Sequence, residues 1–237
     1  KDSVGGDFAV YDTGVYKAKI KMAFLDVWGS GANYVALTLA MPDGKDYSEN
    51  ITITNKKGDT FYTKNDKNYP LPGFVTIDDM CLVTLGVGLA EMDVHTEEKQ
   101  VMVYDKDAGR EIPKVKQVLT GLLGKEVAVA IQKSIETKMD KDGEGKYTIP
   151  TADTREASSI EKVFEPESMM TTVEARAEKT EGEFHKVWLD KNQGKTRDKT
   201  HKGEATGAKP VSAKPAGGAP QASAGAGARK PLFGNKS

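Results

Sequence analysis

Cysteine is almost absent. Cys81 is the single one in 237 residues, so no intrachain disulfide can form. Histidine is nearly as scarce, and His95, His185 and His201 stand too far apart to suggest a zinc site. No apolar run approaches the roughly 20 residues of a membrane span, and no signal peptide is recognisable. Hydrophobic residues make up 38% and aromatics 7%, low for a chain folded throughout, so part of it is expected to stay unfolded. No histidine, cysteine or serine stands in a nucleophile–base pattern, and the carboxylates are scattered. The expectation is a reduced, soluble, cytosolic protein without catalysis, cofactor or metal.

Charge is present in quantity but unevenly spread. The net value of −1 averages two opposite halves. Residues 195–237 hold nine Lys/Arg and two Asp/Glu, a net of +7, and the other 194 residues hold 25 and 33, a net of −8. An acidic body with a basic tail suits tail–body contact or an acidic partner; solubility alone explains it equally well.

The clearest pattern lies in residues 14–54, which predict three consecutive strands. In Tyr16-Lys-Ala-Lys-Ile-Lys-Met22, small or apolar side chains alternate with Lys17, Lys19 and Lys21, the signature of one buried face. That run continues to Trp28 and breaks at Gly29-Ser-Gly31. The second strand sends Val35, Leu37 and Leu39 one way and Tyr34, Ala36 and Thr38 the other. Pro42-Asp-Gly44 is a turn, and a third strand ends at Ile51 and Ile53. A long first strand followed by a tight meander is how a small Greek-key barrel begins, the OB-fold among them.

Residues 55–72 are polar and carry Lys56, Lys57, Phe61, Tyr62, Lys64, Lys67 and Tyr69. Lysines interleaved with rings suit single-stranded nucleic acid: the ammonium groups neutralise phosphates and the rings stack on bases. A loop pinned to the barrel by its rings fits the same composition, and both readings stand. A helix is expected over residues 77–85, capped by Thr76, with Asp79 in its first turn, Cys81 in the core and Gly86 at its end. Gly86-Val-Gly88 lacks the third glycine of a dinucleotide loop. A small hairpin is expected around residues 100–112, then a short helix over 114–123. A fourth strand should cover 125–137, and a closing strand should fall between Tyr147 and Phe164. Asp140-Lys-Asp-Gly-Glu-Gly145 resembles a calcium loop, but Thr151 stands where the bidentate carboxylate is required, so a hairpin turn is expected. Phe184, Val187 and Trp188 then predict an amphipathic helix over 181–192 packing on the barrel. Gly194-Lys-Thr196 fails as a phosphate loop because Leu189 replaces its first glycine.

After Thr200 the chain is Gly, Ala, Pro, Ser and Lys, a composition that predicts a flexible linker. Leu232 and Phe233 return near the end, flanked by Arg229, Lys230 and Lys236. They suit a short docking peptide; a featureless terminus is the alternative.

Five stretches together carry a family resemblance: Gly14-Val-Tyr16, Tyr69-Pro-Leu-Pro-Gly-Phe74, Val118-Leu-Thr-Gly-Leu-Leu-Gly124, Lys162-Val-Phe164 and Phe184-His-Lys-Val-Trp-Leu189. Over residues 14–194 the chain resembles the single-stranded DNA-binding proteins of lytic bacteriophages, those of N-four-like podophages (the Schitoviridae) in particular. The resemblance implies a mainly β chain with some α: an OB-fold, a five-stranded Greek-key barrel, with a large insertion after strand 3. It also implies sequence-tolerant binding of single-stranded DNA in replication and recombination, in the cytoplasm of an infected bacterial host, and a link to activation of host RNA polymerase. The family's usual acidic tail is missing. This tail is basic and ends Leu-Phe-Gly-Asn-Lys-Ser, so acidic-tail recruitment does not carry over.

The expected layout is an arm over 1–13, the OB domain over 14–165 with its insertion at about 55–113, a helical segment over 166–194, and a disordered basic tail over 195–237. Expected DNA contacts are Lys17, Lys19, Lys21, Trp28, Tyr34, Lys56, Lys57, Phe61, Tyr62 and Lys64. Expected partner contacts, with host RNA polymerase or phage replication proteins, are Arg229, Lys230, Leu232, Phe233 and Lys236. Two rivals remain: a phage structural or adaptor protein using the barrel for protein contacts, and a nuclease using Asp78 and Asp79. The two aspartates are more simply read as first-turn carboxylates favoured by the helix dipole.

Overall fold

A computed structural model describes residues 10–105, 108–143 and 147–200. The three expected strands form where alternation placed them: β1 (Gly14–Val27), β2 (Asn33–Ala40) and β3 (Asp46–Thr52), paired antiparallel in sequence order. Ile20, Ala23, Val35, Leu37, Leu39, Tyr47 and Ile51 turn inward and are buried. A register shift between Ile20 and Met22 lets β1 serve two neighbours. Its first half pairs with β8 (Glu126–Lys141), which pairs in turn with β9 (Tyr147–Phe164). The main sheet therefore runs β9-β8-β1-β2-β3, all antiparallel.

The sheet is not closed. Among the described residues no ladder joins β3 to β9, contrary to the five-stranded barrel expected, and side chains span the seam instead. The Glu49 carboxylate accepts the Ile160 backbone N–H at 2.9 Å and the Tyr47 hydroxyl at 2.8 Å; that hydroxyl also lies 3.2 Å from the Ser158 carbonyl. Burial raises the Glu49 carboxyl above the usual range, against the pull of the Ile160 N–H, the Tyr47 hydroxyl and Lys199.

Between β3 and β8 the insertion folds as a hairpin, β4 (Phe61–Lys64) and β5 (Lys67–Pro70), then helix α1 (Pro72–Leu85), then a longer hairpin, β6 (Glu97–Asp105) and β7 (Arg110–Val118). Helix α1 begins five residues before the expected start. Pro72 takes the first helical position, Leu71 precedes it, and Thr76 lies inside the helix rather than capping it. Gly86 ends it in the left-handed region, as expected. Ile77, Met80, Cys81, Leu82 and Val83 bury against the sheet, where α1 contacts β3, β8 and β9. Burial pushes the Cys81 thiol up to about 12, which makes it inert core. The first helix turn lies so close to β3 that a Cβ on Gly73 would sit 2.2 Å from the Thr52 carbonyl oxygen.

The helix expected over residues 114–123 is instead the end of β7 followed by a 3-10 turn at Thr120–Leu122. β7 extends the sheet beside the second half of β1, with Phe24 opposite Val118. Beyond β9 come α2 (Thr172–Arg176) and α3 (Phe184–Asn192). Trp188 of α3 closes a second cluster with Ala128, Ala130 and Phe164 on the outer face of the sheet. Phe184 and Val187 remain exposed rather than joining it fully.

The chain does not leave the fold at Lys195, where the tail was expected to start. Thr13 and the buried Gln132 donate to the Lys195 carbonyl, and β10 (Arg197–Lys199) pairs parallel with β8. No helix among the described residues is long and apolar enough to cross a membrane.

Candidate nucleic-acid interface

At the far end of β1 the strand register gathers four groups on the outer face. Asp26 lies opposite Tyr34, and Tyr34 opposite Thr52. Just past β1, the Trp28 indole stacks on the Tyr34 ring, with centroids 4.1 Å apart and planes at 27°. Its Nε1–H donates to the Thr52 hydroxyl at 2.9 Å. Burial, then the neighbouring Asp26 charge, pushes the Tyr34 phenol up to about 12, so it stays a neutral donor to that carboxylate. Asp26 in turn pairs with Lys116 of β7 at 2.6 Å, a largely buried contact. Burial alone would raise the Asp26 carboxyl; Lys116, the Val27 N–H and Tyr34 outweigh it and hold it below the usual range. The indole is thus fixed on one face and at its edge, yet remains 38% exposed. Such a ring can receive a stacked base without first losing side-chain freedom.

Two lysines stand beside this platform. In the turn at residues 55–59 the Asn55 carboxamide oxygen accepts the backbone N–H of Lys57 and of Asp59, and Gly58 takes positive φ. The turn lies against the β1–β2 connection. The Asn33 N–H donates to Thr54 Oγ1 at 2.8 Å, and a Cβ on Gly31 would lie 3.7 Å from the Lys56 carbonyl oxygen. Lys56 and Lys57 are exposed and have no carboxylate partner among the described residues.

The stretch after this turn forms two strands where a loop was expected. In the β4–β5 hairpin, Asn65 and Asp66 form a two-residue turn with both φ positive. Tyr62 pairs with Tyr69, their rings stacked at 5.6 Å and 24°, and both are exposed. Lys64 faces Lys67 across the hairpin. Like charges directly opposed destabilise a strand pair, and an anion between them would relieve it. Phe61 is half-buried at the base of the hairpin.

The other expected contacts are not brought here. Lys17 and Lys19 lie on the outer face of β1 but opposite Ala128 and Glu126 of β8, at the other end of the strand from Trp28. Ala128 there lies beneath α3. Lys21 is paired with Asp46. Arg229, Lys230, Leu232, Phe233 and Lys236 lie outside the described residues. Asp78 and Asp79 sit in the second turn of α1, not the first. Asp78 accepts the Leu89 N–H, and Asp79, raised by burial, accepts the Thr172 hydroxyl, so both serve the packing of α1.

Tyr69 and Lys67, read from the sequence only within the composition of residues 55–72, are placed as the cross-strand partners of Tyr62 and Lys64, and the structure adds the Thr52, Asp26 and Lys116 supports. A loop was expected here; the mirrored Phe-Tyr-Thr-Lys and Lys-Asn-Tyr-Pro about Asn65-Asp66 is the signal that could have marked the hairpin. The supports, distant in sequence, carried no local signal. No protein-family model and no curated protein sequence matches the chain.

Proposed function

We propose that the protein binds single-stranded DNA with little sequence preference, by base stacking and phosphate neutralisation. The observation that carries this reading is the paired arrangement on successive elements. Two stacked pairs, exposed Trp28 on half-buried Tyr34 and exposed Tyr62 on Tyr69, are interleaved with Lys56, Lys57, Lys64 and Lys67. Every base has a π-face, so stacking tolerates sequence, and the lysines supply salt-dependent affinity. The reading assigns no catalysis and no cofactor. Curling of the sheet until Glu49 and Tyr47 reach β9 supports an OB-type architecture that the seam leaves one ladder short. With the family resemblance, the reading extends to phage DNA replication and recombination in the host cytoplasm. It also extends to contact with host RNA polymerase or replication proteins through the terminal Leu232 and Phe233.

The deciding experiment titrates the full chain with oligo(dT), and separately with duplex, across a salt series, following Trp28 fluorescence and gel mobility. The expected result is tighter binding to the single strand, with affinity falling on a log–log slope of about −0.7 per phosphate neutralised. Equal affinity for duplex, or no salt response, overturns the proposal in favour of an adaptor whose sheet contacts protein.

A further inference from the structure

The sheet has several edges, and most are guarded; β7, beyond its two pairs with β1, carries Pro113. β9 carries Pro150 and pairs with β8 through register shifts. β3 is covered by α1 and by the Tyr47 and Glu49 side chains that reach β9. β4, β5 and β10 have only four, four and three residues. β6 differs. It pairs with β7 through nine consecutive residue pairs without irregularity, contains no proline, and has no strand on its outer side among the described residues. One face of this arm is apolar and open: Met102 is 57% exposed, Tyr104 51%, and Val115, opposite Gln100, 65%. A long regular edge with exposed apolar side chains is a template for another strand.

We propose that this edge pairs with the β6 edge of a second copy of this chain, antiparallel about a two-fold axis through Met102. The charges select that partner and that register. Centred on Met102, Lys99 of each copy stands opposite Asp105 of the other, Gln100 opposite Tyr104, and Val101 opposite Val103. A shift of the axis to Val101 would set Glu97 opposite Asp105, two like charges. Residues opposed in antiparallel strands share a side, so Met102, Tyr104 and Val115 of both copies would merge into one apolar strip across a four-stranded arm. The same patch meets itself, as a closed two-fold dimer requires. The pairing does not depend on the nucleic-acid reading and leaves Trp28, Lys56 and the β4–β5 hairpin free.

The test is sedimentation equilibrium of the full chain without nucleic acid, from about 1 to 500 µM, because one strand pair is a small interface. The expected mass rises from that of the monomer to twice it. Met102→Lys, at an exposed site expected to leave the melting temperature unchanged, should weaken dimerisation about fivefold. Lys99→Asp should weaken it likewise, and mixing Lys99→Asp with Asp105→Lys should restore it, since each copy then presents the charge the other needs. Asp105 also pairs with Lys114 within the chain. Should Asp105→Lys unfold the hairpin, Met102→Cys decides by crosslinking to itself under a short bis-maleimide, Cys81 being buried. A monomer at every concentration, a dimer indifferent to Met102→Lys, or a Met102→Cys chain that does not crosslink overturns the proposal.

Discussion

Trp28 is held by Tyr34 beneath it and Thr52 at its edge, and neither residue belongs to the main core. Trp28→Ala should therefore weaken oligo(dT) binding by about 1–3 kcal/mol while leaving the salt slope unchanged. Lys56→Ala with Lys57→Ala should reverse the pattern, flattening the slope by about 0.7 for each phosphate no longer neutralised. A fall in Tm as the main effect of Trp28→Ala would make the ring structural. Glu49 poses a separate question at the same scale. Its carboxyl titrates higher in the folded chain than in the unfolded one, so its contribution to stability is fully present below the unfolded value of about 4.5. That contribution is lost as pH rises through the raised folded value. Glu49→Gln keeps an acceptor for the Ile160 N–H and removes the titration. The Tm difference between variant and wild type should shift in the variant's favour as pH climbs from about 4 to 8. A variant that loses ground at pH 8 would mean that the seam needs the charged form.

Among the elements, strands with one buried face and one wet face were legible, because alternation reports that geometry directly. β1 to β3 follow it; β8 alternates in sequence, but its outer Ala128 and Ala130 are buried beneath Trp188. β7 hid from the same rule: Val115 points to solvent while Ile112 and the stems of Lys114 and Lys116 are half-buried, which inverts the usual pattern. What remained, Val115 with Val118, Leu119 and Leu122, mimicked a helical stripe. The start of α1 was missed for another reason. Pro72-Gly73 reads as a turn, yet proline suits the first helical position and glycine is needed where the helix meets β3. Gly73→Ala should accordingly lower stability by about 1–3 kcal/mol, since the new methyl meets backbone that cannot swing away. Because Thr52 carries both that carbonyl and the hydroxyl that holds Trp28, the variant should also shift tryptophan emission. An unchanged Tm and spectrum would show that α1 can slide outward at no cost. Of the candidate site, the rings and lysines were legible from composition. Their grouping was not, because it depends on which turn lies against which.

At the scale of the whole molecule, the boundary between body and tail can be located by cutting. Composition alone put it at Lys195, where basic residues begin to dominate, but the backbone there is part of the fold. The Lys195 carbonyl receives hydrogen bonds from Thr13 and the buried Gln132, and Arg197 pairs with Glu161 of β9. A chain ending at Gly194 should lose about 1–3 kcal/mol, because the buried Thr13 hydroxyl then loses its acceptor, while the Gln132 amide keeps Thr13 Oγ1 and the Lys133 carbonyl. A chain ending at Thr200 should melt with the full-length protein, since residues 201–237 offer almost no apolar side chain to bury. It should also bind DNA somewhat more weakly at low salt, having lost six Lys/Arg against one Glu. Leu232 and Phe233 make a narrower demand. Exchanging both for alanine removes no charge, so oligo(dT) affinity and its salt slope should stay at wild-type values. Affinity in docking peptides concentrates in a few buried anchors, so the same change should abolish phage replication, recombination or host-polymerase transcription wherever a partner reads this peptide. If the double variant supports all three at wild-type level while the Thr200 truncation still weakens low-salt binding, the tail acts through its charge alone.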